Sequence, residues 1–201
     1  MQVKGLEISG YESRCAPAMM LSYSTADIGA HHNRSWAITY DIEVGRETIE
    51  GKAEKVIELQ HIRPLFDMLG VCRLQWVELG IDLKHYSRLL TSLTGLNYSL
   101  KKLLSLSERV WNLNRMFLLR EKGKPGSQHD QPPERWLTEP IPTGNTRGCK
   151  ADPKKFEKLL QNYYKLRGWD KEGNPAPKKL KELGILELVE KYAPDLLKIR
   201  T

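Results

Sequence analysis

No run of roughly 18 apolar residues occurs anywhere in the sequence, which excludes an ordinary membrane-spanning helix. Met1 leads into Gln2, Val3, Lys4 and Gly5 rather than an apolar segment with a small-residue cleavage site, so no secretory signal is expected and the expected address is cytoplasmic. Cysteine is scarce. Cys15, Cys72 and Cys149 lie 57 and 77 residues apart, an odd and sparse set that predicts no disulfide framework and fits a reducing compartment. None of them has a second cysteine two to four residues away, so a locally built metal site is not expected either. A G-x-S-x-G elbow, a phosphate loop and a dinucleotide fingerprint are all missing. Glu12, Glu43 and Asp67 are scattered, and nothing marks two of them as an acid–base pair.

What remains is a chain of 201 residues, 40% hydrophobic and 28% charged, long enough to bury a core in one or two domains. The net charge of +7 is uneven, because residues 150–201 hold 13 Lys and Arg against 8 Asp and Glu. Those bases alternate with acids at helical spacing, the pattern of a solvated face, and nucleic-acid binding is not expected.

The periodicity is helical almost throughout. Residues 1–8 read as a short extended segment ended by Gly10, and residues 16–27 as a helix with Pro17 in its first turn. Its many Ala, Ser and Met residues suit close packing against a cofactor or another chain. Glu43–Gly51 reads as a polar linker. A helix then starts near Lys52, with Ala53, Val56, Ile57 and Gln60 on one face and a bend expected at Pro64. Asp82 caps a helix over Leu83–Leu93 that Gly95 stops. Residues 99–120 form the longest helix, expected to be largely buried because its apolar residues, among them Leu113 and Phe117, cover more than one face. Residues 121–150, rich in proline and glycine, read as a long structureless loop. Asp152-Pro153 opens a helix with a stripe of Phe156, Leu159, Leu160, Tyr163 and Tyr164, and two short helices follow over Lys178–Leu183 and Leu186–Tyr192. The expected fold is all-α, an irregular helical bundle.

Two places could carry chemistry. Cys72 follows Gly70 and Val71, whose backbone amides could serve a thiolate, and Asp67 lies one turn earlier; the plainer reading is a buried apolar thiol. His31 and His32 stand just past a helix end with Arg34 nearby, suited either to proton transfer or to a surface turn. Cys15 and Cys149 read as structural, and His61, His85 and His129 have no company that suggests chemistry.

Several segments, taken in order, resemble the C-terminal part of the tungsten-containing aldehyde ferredoxin oxidoreductases. Lys4-Gly5-Leu6-Glu7 with Tyr11-Glu12-Ser13-Arg14 is similar to the family's K-G-L-E and Y-D-P-R. Tyr23-Ser24-Thr25-Ala26 and Gly29-Ala30-His31-His32-Asn33-Arg34 resemble Y-A-T-S and R-G-A-C-H-x-R. Asp67-Met68-Leu69-Gly70-Val71-Cys72 resembles D-x-x-G-L-C, and the segments from Glu108 to Arg115 and from Tyr163 to Asp170 resemble E-R-x-W-N-L-x-R and Y-Y-x-x-R-G-W-D. The resemblance runs over about residues 4–185.

It implies oxidation of an aldehyde to a carboxylic acid at tungsten (or molybdenum) held by two pterins, with electrons leaving through a [4Fe–4S] cluster to ferredoxin. Cys72 would be a cluster ligand, Asp67 a pterin contact with Gly70 and Val71 beside it, and His32 the active-site histidine, with Tyr11 as a second catalytic candidate. Residues 1–50 would end the family's middle helical domain, and 51–201 would form its C-terminal domain. The departures are Ile28 where the family has arginine, His31 where it has cysteine, and Cys15 where it has glycine. The other three cluster cysteines and the first pterin-binding motif are not in the sequence, which implies a separate N-terminal chain as partner and, for this chain alone, an exposed apolar patch at Ala16, Met19, Met20 and Tyr23. The alternatives are a truncated, non-catalytic relic or a helical protein-interaction module.

Overall fold

The computed structural model describes residues 1–123 and 125–197, apart from the side chain of Glu78. The last four residues of the lysine-rich tail and of the 51–201 segment lie outside the described residues. Strands β1 (Gln2–Val3) and β2 (Leu6–Glu7) pair antiparallel, Val3 opposite Leu6, around a turn at Lys4 and Gly5. Everything else regular among the described residues is helical. α1 spans Pro17–Thr25, α2 Ile38–Val44, α3 Lys52–Leu69, α4 Leu74–Leu79, α5 Leu83–Thr94, α6 Leu100–Lys122, α7 Glu134–Thr138, α8 Pro153–Arg167, α9 Pro177–Glu182 and α10 Leu186–Tyr192. The expected all-α bundle is what the chain forms.

α1 stands at the centre. Its small side chains let α2, α3 and α8 close around it, so the helix is covered on all sides. The expected exposed patch does not form: Ala16, Met19, Met20 and Tyr23 are all buried inside this chain's own core. Ala16 offers no side-chain cap, and the work falls to Asp41 of α2, whose carboxylate accepts from the Ala18 and Met19 amides at 3.0 and 2.9 Å. Asp41 is itself buried against Lys52 at 2.7 Å, which joins the start of α3 to the start of α1.

α3 continues past Pro64 to Leu69, so the proline does not end it. The face of Ala53, Val56 and Gln60 is buried as expected. Asp82 caps α5 through the Lys84 amide at 2.9 Å, and Asp152 caps α8 through the amides of Lys154 and Lys155. The stripe Phe156, Leu159, Leu160, Tyr163 and Tyr164 is buried against α1 and α3. Gln60 links these layers: its side-chain oxygen accepts from the Tyr163 hydroxyl and from Arg167 Nη2, each at 2.7 Å. Buried polar atoms thus find partners between helices that meet only in the folded chain.

Three expectations are corrected. α6 is amphipathic, not buried all round: Leu103, Trp111, Met116 and Leu119 face inward, while Leu113 and Phe117 are exposed. α2 runs two residues into the expected linker, ending at Val44, and α4 forms over Leu74–Leu79, where no element is expected. The described residues of the stretch 121–150 are structured. It holds a 3₁₀ turn over Gly126–His129 and α7, Trp136 packs beside Tyr23, and Asp130 is fully buried. Arg115 of α6 holds Asp130 in a two-pronged pair at 2.9 and 2.6 Å, and Lys4 of the hairpin approaches it at 2.9 Å. Those contacts replace the hydrophobic periodicity that would otherwise announce order.

The cysteine expectation also changes. Hydrogen bonds of Ala151 to Trp136 and of Arg14 to Glu139 draw residues 139–151 onto the start of α1, and Cys15 and Cys149, 134 positions apart, form a disulfide. Sequence distance hides a spatial neighbour. Cys72 is the free cysteine, and it is exposed rather than a buried apolar thiol.

Candidate functional site

The residues singled out in the sequence form two groups joined by one turn. Gly29 sets up the first. Its φ of +95° is left-handed, and a Cβ there would lie 2.6 Å from the Val3 carbonyl oxygen, so only glycine lets the chain pass under the hairpin. The Ser9 amide then donates to the Ala30 carbonyl, which brings residues 9–11 alongside a 3₁₀ turn over His32–Arg34. Here Tyr11 and His32 do meet, with ring centroids 5.3 Å apart and edge to face. His31 stacks on His32 at 4.7 Å, Trp36 closes the far side at 5.5 Å, and His32 Nδ1 lies 3.1 Å from the Ser9 hydroxyl. Burial, then the neighbouring His31 and the charges of Arg73 and Arg63, hold the pKa of His32 below that of a free imidazole. A neutral ring at pH 7 can accept a proton. His31 is lowered in the same way, by burial and then by Arg73 and Arg34.

The second group lies where α3 ends. Gly70, at φ +66°, closes α3 in a left-handed cap, with its amide donating to the Asp67 carbonyl at 3.2 Å and the Val71 amide to the Phe66 carbonyl at 3.0 Å. The two amides expected near the thiolate are therefore engaged by the helix end. What the cap does instead is turn Cys72 back over the last turn of α3. Asp67, Val71 and Cys72 line one cavity of about 470 Å³ together with Asn33, Arg34, Arg63 and Arg73, and Gly70 stands outside its wall. Arg34 ties the groups together, since it follows His32 by two residues and pairs with both Asp67 and Asp27, the latter at 3.0 Å.

Sequence reasoning misses these arginines, except for Arg34. Arg63 is one helical turn before Asp67, and Arg73 follows Cys72 directly, so helical spacing holds a signal. Burial, and then the charge of Arg73, lower the Arg63 pKa to about 10. His61, also on α3, has company after all: its Nε2 lies 2.6 Å from Arg167 Nη1, and burial beside that cation lowers its pKa to about 3.

As a donor set for a metal cluster the cavity is incomplete. Among the described residues no group of three His, Cys, Asp or Glu is placed to hold a metal ion. One exposed thiol at the rim of an open, cation-lined recess fits a single share of a cluster whose other ligands come from elsewhere. The fold and site thus define a helical chain that presents one thiol, one carboxylate and a neutral imidazole along a single surface.

The chain belongs to the family described as "Aldehyde ferredoxin oxidoreductase, domains 2 & 3", whose model matches residues 1–185. It is 33% identical over 194 residues to a tungsten-containing aldehyde ferredoxin oxidoreductase of Pyrococcus furiosus, covering 93% of this chain and 31% of the relative. It is 32% identical over 195 residues to the protein of the same name from Thermococcus kodakarensis, covering 94% of this chain and again 31% of the relative. The chain therefore spans about a third of the length of the curated relatives it matches. A similar fold occurs in the active site complex BamBC of benzoyl coenzyme A reductase in complex with 1,5-dienoyl-CoA, with a TM-score of 0.59 and 20% identity over 77% of this chain and 22% of that one. No helix among the described residues is long and apolar enough to cross a membrane.

Proposed function

We propose that this chain is the C-terminal part of a tungstopterin, iron–sulfur oxidoreductase that oxidises aldehydes to carboxylic acids and passes the electrons to ferredoxin. The observation that carries the reading is the shared cavity of Asp67 and Cys72, linked through Arg34 to the Tyr11–His32 pair. A [4Fe–4S] cluster requires four ligands, and Cys72 contributes one thiolate to it; the others, with most of the pterin site, come from polypeptide equivalent to the remaining two thirds of the relatives. Residues 1–50 and 51–201 are then parts of the middle and C-terminal helical domains, divided in the Gly45–Gly51 turn between α2 and α3.

When bound, the tungsten bis-pterin supplies the two-electron chemistry and the cluster carries those electrons away. This chain's residues position and exchange protons. The Asp67 carboxylate, steadied by Arg34, would hold a pterin edge by accepting its hydrogen bonds. Val71 packs beside it, and Gly70 sets the angle at which Cys72 is presented. Aldehyde and water becoming carboxylic acid release two electrons and two protons; the electrons pass to ferredoxin, and His32 would take up one proton while solvent takes the other. The Ser9 contact at Nδ1 leaves Nε2 as the working nitrogen, and Tyr11 and Trp36 keep the ring in place.

The test is an anaerobic pull-down of the tagged chain from its native host, followed by metal analysis. Tungsten or molybdenum with about four irons per complex is the expected result. A metal-free chain with no cysteine-rich polypeptide attached would overturn the reading and favour a relic or an interaction module.

A further inference from the structure

We propose that the cavity beside Cys72 is an anion site in which Arg63 and Arg73 together take a doubly charged phosphate group. The proposal concerns the same cavity as the oxidoreductase reading but a different pair of residues, Arg63 and Arg73, and phosphate binding there can fail while that reading stands. Three guanidiniums and one carboxylate face the cavity. The carboxylate is already engaged, since Arg34 pairs with Asp67 and also with Asp27. Arg63 and Arg73 find no carboxylate among the described side chains. Arg73 Nη2 donates to the Asn33 side-chain oxygen, and Arg63 Nη1 reaches only the Asn33 backbone carbonyl, at 3.4 Å.

Arg63 is the more telling of the two. It is 94% removed from solvent, its guanidinium lies over the Trp76 ring, and its Nε is buried with no hydrogen-bond partner. A desolvated cation with an unused donor is costly to maintain, and a second cation beside it raises that cost. An anion removes both penalties at once. Two planar forks match the paired oxygens of a phosphate better than a single carboxylate would, and a recess walled by Phe66, Val71 and Leu74 strengthens their field. The volume of about 470 Å³ leaves room beyond the phosphate itself for a small organic ester.

The experiment is isothermal titration of the full chain with inorganic phosphate at constant ionic strength, with chloride as the blank and glycerol 3-phosphate as a second probe. One saturable site is expected. Tighter binding of glycerol 3-phosphate assigns the site to phosphate esters, and equal binding assigns it to the free anion. Arg73→Gln and Arg63→Met should each weaken binding at least tenfold, while Arg120→Gln, at an exposed position paired with Glu121, should leave it unchanged. Arg73 is only half-buried, so its substitution tests the site even if Arg63→Met fails to fold. No heat beyond that of chloride, or full binding by the Arg73→Gln protein, overturns the proposal.

Discussion

Removing the Asp130 carboxylate should be among the most damaging single changes in this chain. Asp130 is fully buried and accepts from Arg115 Nη1 and Nη2 and from the Tyr164 hydroxyl, the last at 2.7 Å, while Lys4 Nζ lies 2.9 Å away. In Asp130→Ala, Arg115 keeps the Gly173 carbonyl and the Trp169 ring, and Lys4 keeps the Ser24 carbonyl. Two buried cations then face each other without a counter-charge. Breaking one buried pair costs about 3–5 kcal/mol, which for a chain of this length corresponds to a fall in Tm of roughly 6–20 °C. Lys4→Met should cost far less, because Asp130 retains Arg115 and Tyr164. Combining the two should recover part of the loss, with a coupling of about 1–3 kcal/mol. Burial alone would raise the Asp130 pKa, but the charges of Arg115 and Lys4 and the hydrogen bonds outweigh it, and the pKa lies below the usual carboxylate value. Its contribution is therefore present above the unfolded carboxylate pKa of about 4 and is lost as pH falls through the lower folded value. Urea unfolding followed by circular dichroism, from pH 7 to pH 3, measures all of this. A loss under about 1 kcal/mol for Asp130→Ala, or strict additivity with Lys4→Met, would refute the argument.

Three further outcomes are expected. His61 is held neutral by burial beside Arg167 and its folded pKa is about 3, so the unfolded chain takes up a proton below pH 6.5 that the folded chain refuses. Stability should therefore fall from about pH 6.5 downward by up to about 1.4 kcal/mol per pH unit, and His61→Gln should flatten that limb in denaturant titrations; an unchanged slope would remove the histidine from the account. Thiol titration of the folded, unreduced chain should find one reactive thiol, Cys72, with two more appearing after reduction; three thiols from the outset would mean that Cys15 and Cys149 are not bridged. In a metal-loaded complex Cys72→Ala should abolish iron retention without changing helix content, and iron equal to wild type would dismiss the thiol as a ligand.

The helices are readable where a cap and a stripe coincide. Asp152-Pro153 with the stripe from Phe156 to Tyr164 predicts α8, and Asp82 with Gly95 predicts α5. What stays hidden is what tertiary contact decides. Residues 125–151 have no periodicity because their order comes from Arg115, Lys4 and a disulfide, none of which is local. The burial of α1 is illegible for a related reason: small residues signal close packing without naming the partner, and the partners are α2, α3 and α8 of the same chain. At the site, the Tyr11–His32 pairing is legible only through resemblance, whereas Asp67 one turn before Cys72 shows in the spacing itself. Arg63 and Arg73 lie outside the motifs quoted for the family, and although their spacing from Asp67 and Cys72 is visible, only the folded chain brings them together in one cavity.

The polar seam through Gln60 also bears on how the chain folds as it is made. Gln60 meets Tyr163 and Arg167 across separations of 103 and 107 residues. At ordinary synthesis speeds of about 5–20 residues per second, α3 leaves the ribosome roughly 5–20 s before α8 can cover it. For that interval the surfaces of α1 and α3 that α8 covers, and the Gln60 side-chain oxygen that meets Tyr163 and Arg167, have no α8 to meet. Nascent-chain capture by general chaperones should therefore peak before residue 153 is synthesised and drop sharply once Arg167 has emerged.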